Sequence, residues 1–148
     1  MPVSIIIVTY ESAAVLDPCL CALERLDSSE VLIVDNGSRD DTAAVAQEHG
    51  AEIIELKKNA GFGAAANVGA ARAAGNLLCF LNPDCILTEE AMREARSCLE
   101  QQPDVCAAPS FVHDSGMHQE GRQPGYTWRK LLGDVMAVSG LSGHYHER

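Results

Sequence analysis

The sequence predicts an open parallel α/β sheet with helices on both faces. Three observations lead there. Short β-branched runs recur as "VSIIIVTY", "VLIVD", "EIIEL" and "LLCFL". Segments of helical period separate them. The links between the two kinds of segment are short and rich in Gly, Asn, Asp and Pro. Parallel neighbours need a crossover, so regular alternation of strand and helix is the pattern of such a sheet.

The elements follow in order. "VSIIIVTY" is continuous rather than alternating, as expected of a strand buried on both faces. Leu16, Leu20, Leu23 and Leu26 then repeat at helical spacing, interrupted by Pro18. Either Asp17 caps and Pro18 opens that helix, or a first turn from Ser12 is kinked at Pro18. "EVLIVDNGS" is a second buried strand running into turn residues. Ser38 and Asp41 have the spacing of a capping box, and the helix they introduce stops near Gly50. "AEIIEL" is a third strand, "GAAANVGAARAAG" an Ala-rich helix, "NLLCFL" a fourth strand. "TEEAMREARSCLEQQ" is a helix with acids in its first turn, and "DVCAAP" a fifth strand. Beyond Pro109 the period fades. The tail is expected to pack as an edge or to be partly disordered, with "TWRKLLGDVMAV" as one amphipathic helix.

Composition narrows the function. At 148 residues the chain holds one domain with a substantial core. A formal net charge of −10 repels phosphate backbones and anionic lipid, so nucleic acid is excluded as a partner. A phosphate-bearing small ligand needs local help from backbone N–H groups, a helix N-terminus or a divalent cation. The six cysteines form no C-x-x-C pair and mostly sit in apolar runs, which reads as buried free thiols in a reducing compartment. No basic n-region precedes "VSIIIV", and no apolar run reaches the roughly 20 residues of a membrane span, so a cytoplasmic location is expected.

Ligands of such sheets bind beyond the carboxyl ends of the strands. The first strand delivers Thr9, Tyr10 and Glu11 there. The second delivers Asp35, Asn36, Gly37 and Ser38; the third Asn59, Ala60 and Gly61; the fourth Asn82, Pro83 and Asp84. Each set alone is ordinary turn chemistry. Four sets on one edge point to a binding edge. Gly61, Gly63 and Ala66 also match the dinucleotide spacing G-x-G-x-x-A, and Asp84 lies about 20 residues further on. Against that reading, "KKNA" separates the strand from the first glycine, Pro83 stiffens the approach to the acid, and Glu11 and Asp35 have no role. A carboxylate on a stiff turn after a buried strand suits Mg²⁺ or Mn²⁺ shared with ligand phosphates.

In order and spacing, "VSIIIVTYES", "VLIVDNGSRDDT" and "NAGFGAAANVGAARAAGNLLCFLNPDCIL" resemble the family 2 glycosyltransferases, most closely the rhamnosyltransferase-type branch. The resemblance covers about the first 110 residues, and "SGMHQEGRQPGYTW" extends it weakly. It implies the Rossmann-like A-type glycosyltransferase fold in truncated form. Residues 1–110 would be a nucleotide-sugar-binding domain and 111–148 an incomplete or flexible extension. By position, Thr9, Tyr10 and Glu11 would line the nucleoside pocket. Asp35 would bind the base, with Asn36 and Ser38 shaping its loop. Asn59, Gly61 and Gly63 would let the backbone approach the nucleotide, and Asn67 would reach it from the helix. "NPD" stands where the family has D-x-D, so Asp84 would hold the metal while Asn82 replaces the first acid.

The implied reaction is inverting. An acceptor hydroxyl attacks the anomeric carbon of a nucleotide-diphosphate sugar, a carboxylate takes its proton, and a divalent cation balances charge on the leaving diphosphate. The implied partners are that donor and a carbohydrate or lipid-linked acceptor, at or near the inner face of the membrane. The family's later acidic motif has no counterpart here, so no catalytic base is assigned. His113, Asp114, His118 and Glu120 are acids and bases of the tail that read as solvated loop residues. Two other classes stay open. One is a non-catalytic nucleotide-binding or assembly module, its apolar surface covered by forming a homo-oligomer. The other is an NAD-type oxidoreductase domain.

Overall fold

A computed structural model describes residues 2–26 and 30–101, together with the backbone of 111–112 and 118–119. The chain divides into two compact units, Met1–Glu89 and Glu90–Arg148.

The first unit is built on four parallel strands: β1 Val3–Thr9, β2 Glu30–Asp35, β3 Glu52–Glu55 and β4 Leu77–Leu81. Their order across the sheet is β3-β2-β1-β4. Helices α1 Ala13–Leu23, α2 Thr42–Glu48 and α3 Phe62–Arg72 make the crossovers. The chain steps outward from β1 to β3, then returns through α3 to place β4 on the other side of β1. That reversal creates a switch point between β1 and β4, where the loops after the two strands diverge and leave a crevice.

Burial follows from this order. All seven residues of β1 are buried, as its β-branched apolar run predicts, and the polar Ser4 and Thr9 are buried with it. On one face Ile6, Val8, Leu32 and Val34 meet Ala65 and Ala66 of α3. On the other, Ile5, Ile7 and Ile33 are inaccessible to solvent. Here α1 buries Leu16, Cys19, Leu20 and Leu23, and α1 packs on α2, which rests on β2 and β3. Each fully buried Ile or Leu contributes about 1.5–3 kcal/mol, so this strand pair and its helices carry most of the stability. Helix α3 approaches very closely. A Cβ on Gly69 would lie 2.5 Å from Cγ2 of Ile6 and 3.1 Å from Cγ2 of Val34. The small Ala/Gly face is thus a packing device.

The sheet's border strand differs. Leu78 and Phe80 of β4 share register with Ser4 and Ile6, hence the face of α3, yet they are 44% and 49% exposed. Helix α3 packs on β1 and β2 and leaves this part of the face uncovered.

Two expectations change. Pro18 lies inside α1 rather than opening it, and the helix begins after Ser12. The helix start at Ser12 in the second alternative therefore holds, and Pro18 removes one backbone donor without ending the helix. Helix α2 begins at Thr42, and Ser38 is not its cap, because the Ser38 hydroxyl bonds to Asp35 instead. Asp40 supports the helix start: its Oδ1 accepts from the Thr42 N–H at 3.1 Å and its Oδ2 from the Ala13 N–H at 3.0 Å.

The second unit opens within α4, Glu89–Gln101, the helix expected from "TEEAMREARSCLEQQ". Strands β5 Phe111–Val112 and β6 His118–Gln119 pair antiparallel. The expected strand "DVCAAP" and the helix "TWRKLLGDVMAV" lie outside the described residues.

Candidate functional site

The site begins with Asp35, the last residue of β2. It is 4% exposed, and three donors surround its carboxylate. The Thr9 hydroxyl donates to Oδ1 at 3.1 Å, the Ser38 hydroxyl donates to Oδ1 at 2.5 Å, and the Ser38 N–H donates to Oδ2 at 3.0 Å. A buried carboxylate needs such partners. One lone pair of Oδ2 is left over for a further donor.

The Ser38 hydroxyl continues the network by accepting the Glu11 N–H at 2.9 Å. Glu11 in turn accepts the Arg39 N–H at 3.1 Å through Oε1. Between these two bonds Glu11 sits at φ 52°, among the described residues the one non-glycine with positive φ. The loop after β1 is therefore clamped against the loop after β2 in a strained conformation. Gly37 belongs to the same junction. Its φ is 83°, and a Cβ there would come within 3.0 Å of the Lys58 backbone. Only glycine lets the β2 loop pass so near the β3 loop.

Asn36 and Asn59 tie these loops to the third. Asn36, 3% exposed, donates through Nδ2 to Oδ1 of Asn59 at 3.1 Å and accepts the Ala60 N–H at 2.8 Å. Oδ1 of Asn59 also accepts the Gly61 N–H at 2.9 Å. Gly61 then starts α3 at φ 85°, ψ 157°. A Cβ on Gly61 would meet open space within the chain itself, while its φ of 85° is a backbone conformation that favours glycine. No side chain caps α3, so its first N–H groups are not satisfied that way.

After β4, Pro83 and Asp84 form a tight turn closed by the Cys85 N–H to the Asn82 carbonyl at 3.2 Å. Asn82 and Asp84 are both exposed. Cys19 of α1 lies beneath, its thiol 3.9 Å from the Asn82 carbonyl. Burial first, then the neighbouring Cys85 and Asp84, pushes the Cys19 thiol up to about 12. That keeps it neutral under the turn.

These loops enclose a cleft of about 310 Å³ lined by Val8, Thr9, Tyr10, Ser12, Asn36, Asn59, Phe62 and Pro83. Of the residues expected from sequence, Thr9, Tyr10, Asn36 and Asn59 line it directly. Asp35, Glu11 and Ser38 hold its walls in place. Gly61 sets the start of α3, and Gly63 is buried in its first turn. Asn67 is half-buried one turn further along α3, and Asn82 and Asp84 flank Pro83. Sequence reading missed Ser12 and Phe62. Phe62 is 51% exposed and Tyr10 50% exposed, so two half-exposed aromatic residues border the cleft. An aromatic between Gly61 and Gly63 was the available signal. The tail residues His113, Asp114 and Glu120 lie outside the described residues, as does the His118 side chain.

The glycine loop follows β3, at the border of the sheet, and Leu56 to Ala60 separate the strand from Gly61. The dinucleotide turn instead comes directly off a strand. The model of a known family, glycosyl transferase family 2, matches residues 4–140. The chain belongs to glycosyl transferase family 2. As a member it has the A-type glycosyltransferase fold, and solved structures agree. TarS of S. aureus, residues 1–349 in complex with UDP-GlcNAc, superposes with a TM-score of 0.63 at 22% identity, over 77% of this chain and 38% of that one. Glucosyl-3-phosphoglycerate synthase of Mycobacterium tuberculosis, with Mn²⁺, UDP-glucose and phosphoglyceric acid, gives 0.58 at 20% identity, over 66% and 39%.

Among curated proteins, this family 2 chain is 36% identical to a TPR repeat-containing protein of Synechococcus elongatus, over 71% of this chain and 26% of that one. It is also 36% identical to the glycosyltransferase AglE of Haloferax volcanii, over 56% of this chain and 30% of that one. The chain thus spans about a quarter to a third of the length of these relatives. No helix among the described residues is long and apolar enough to cross a membrane.

Proposed function

We propose that this chain binds a nucleotide-diphosphate sugar and supplies the donor side of an inverting glycosyl transfer to an acceptor hydroxyl. The observation that carries the reading is the cleft, where residues from the loops after β1, β2, β3 and β4 meet at the switch point. The base lies between Tyr10 and Phe62, with the spare lone pair of Asp35 and the Asn36–Asn59 pair offering polar contacts. The diphosphate sits toward the uncapped start of α3, whose N–H groups favour negative charge.

A divalent cation belongs beside Asp84. The donors on that turn are oxygens from an exposed carboxylate and an exposed amide, which suit Mg²⁺ or Mn²⁺ and not a soft metal. One protein carboxylate plus ligand phosphates is the usual way such ions are held. When bound, the ion supplies charge balance for the departing diphosphate. The protein's own residues orient the donor and keep the turn rigid through Pro83. The closer resemblance to the rhamnosyltransferase-type branch supports a deoxysugar such as rhamnose as the group moved. A carbohydrate or lipid-linked acceptor and a place near the inner membrane face go with that reading. Residues 1–110 form the donor domain in this proposal, with 111–148 as an extension to it.

Titration calorimetry tests this with UDP, dTDP, GDP and NAD, each with and without Mn²⁺. Metal-dependent binding of one nucleoside diphosphate, lost in Asp84→Ala, is the expected result. Metal-independent binding of NAD alone would overturn it. A second reading, a non-catalytic assembly module, has exposed Leu78 and Phe80 behind it. Self-association without nucleotide binding would favour that reading.

A further inference from the structure

Away from the cleft, α1 and α2 carry a side-chain cluster that the donor site does not use. Asp17, Cys21 and Glu24 lie four and three residues apart, so they form one stripe along α1. His49 faces that stripe from the C-terminus of α2. Gly50 follows at φ 66°, ending the helix directly behind His49. The crossover helices run antiparallel to the strands. The cluster therefore sits toward the strands' amino ends, opposite the donor cleft.

The ring of His49 is held at both nitrogens. Nδ1 is 2.7 Å from Oε1 of Glu24, and Nε2 is 3.1 Å from Oδ1 of Asp17. The imidazole is only 13% exposed, whereas both carboxylates are largely in solvent. A plain ion pair would account for the two carboxylates. It gives no role to Cys21, whose exposed thiol joins the same group: one ligand atom each of Asp17, Cys21 and His49 lies within 4.8 Å of the others.

We propose that Asp17, Cys21 and His49 form a binding site for a borderline transition metal ion, Zn²⁺ by its donor set. Imidazole nitrogen, thiolate sulfur and one carboxylate oxygen are zinc ligands, and Mg²⁺ or Ca²⁺ would not select the thiolate. Zinc bonds of about 2.0–2.3 Å place ligand atoms roughly 3.3–3.8 Å apart in a tetrahedron. The observed separations close to that with about 1 Å of rotation in two exposed side chains. Glu24 has a separate task. With Nδ1–H donated to Glu24, Nε2, which lies 3.1 Å from Oδ1 of Asp17, is left as the nitrogen for a metal. A carboxylate behind a metal-bound histidine fixes its tautomer and orientation in this way. Three protein ligands leave a fourth position for water. A metal here would clasp α1 to α2 and stiffen the helical layer, with no part in sugar transfer.

Cobalt is the probe, because a thiolate bound to Co²⁺ gives a charge-transfer absorption in the near ultraviolet. The tag-free full chain is titrated with CoCl₂ and then with ZnCl₂. The expected result is a thiolate–cobalt band saturating at one equivalent and abolished by Zn²⁺. Cys21→Ser should lose the band, while Cys98→Ser, which removes an exposed thiol elsewhere, should keep it. Glu24→Gln should retain the band and weaken the affinity about 10–100-fold. A band that survives in Cys21→Ser, or a wild-type chain that shows none, would overturn the site. Far-ultraviolet dichroism of each apo variant confirms that the fold is intact. None of these outcomes depends on nucleotide binding.

Discussion

Thr9 and Asp35 are register partners at the carboxyl ends of β1 and β2, and the Thr9 hydroxyl donates to the Asp35 carboxylate across the pair. Both are buried, so the base-side wall of the cleft is a continuation of the core. Asp35→Ala would orphan the Thr9 and Ser38 donors. Leaving a buried group unsatisfied costs about 1–3 kcal/mol. Urea unfolding should register that loss, and nucleotide binding should fall with it. Ser38→Ala should cost less and still weaken binding, because the Glu11 clamp goes too.

Phe62→Ala tests the aromatic border. Stacking of a base on an aromatic ring is worth about 1–3 kcal/mol. Phe62 is half in solvent, so its removal should leave the melting temperature nearly unchanged. Calorimetry should show weaker nucleoside diphosphate binding in a chain of ordinary stability. Unchanged affinity would move the base away from α3.

Gly69→Ala should destabilise without touching the cleft. The added Cβ meets Ile6 at 2.5 Å, and overpacking a tight core costs about 1–3 kcal/mol. The loss should appear in thermal unfolding, although alanine is the better helix former. An unaltered melting temperature would mean that α3 can shift off the sheet.

Glu30 links stability to pH. Bonds from the Ser4 hydroxyl, then from the Ala74 N–H, hold its carboxyl below the ordinary value of 4.5. A depressed carboxylate stabilises the fold above its unfolded-state pKa, and that contribution fades as pH falls through the folded value. Wild type should therefore lose stability below about pH 4.5 more steeply than Glu30→Gln. Denaturation curves taken from pH 6 down to 3 make the comparison. Parallel curves for the two proteins would refute it.

Thiol labelling should divide the cysteines. Cys21 and Cys98 are exposed and should react first with a maleimide, whereas Cys19, pushed up to about 12 and buried, should react last. Because the Cys19 thiol lies under the Asn82 carbonyl, its rate reports how often the Asn82–Cys85 turn opens. Peptide mass spectrometry after timed quenching reads the order.

The strands and most helices were legible because their signals are local. The continuous apolar run from Ile5 to Val8 forces β1 inside, and the small residues of α3 announce a close helix. The misreadings have tertiary causes. Ser38 has the spacing of a cap, but Asp35 lies next to it in space and takes its hydroxyl. Cys21 sits in a run that looks apolar, yet it falls on the exposed side of its helix. The loops of the cleft were legible from fold and resemblance together. Which residues touch one another there was not, since the Asn36–Asn59 pair joins positions 23 apart in sequence.

Glu11 shows how such a site constrains evolution. Its left-handed backbone would relax if glycine or asparagine stood there. Either exchange would discard the carboxylate that receives the Arg39 N–H. A selection for thermal robustness alone should therefore drift toward glycine or asparagine at this position. A selection that also demands ligand binding should retain the acid, which makes position 11 a readout of what the chain is being asked to do.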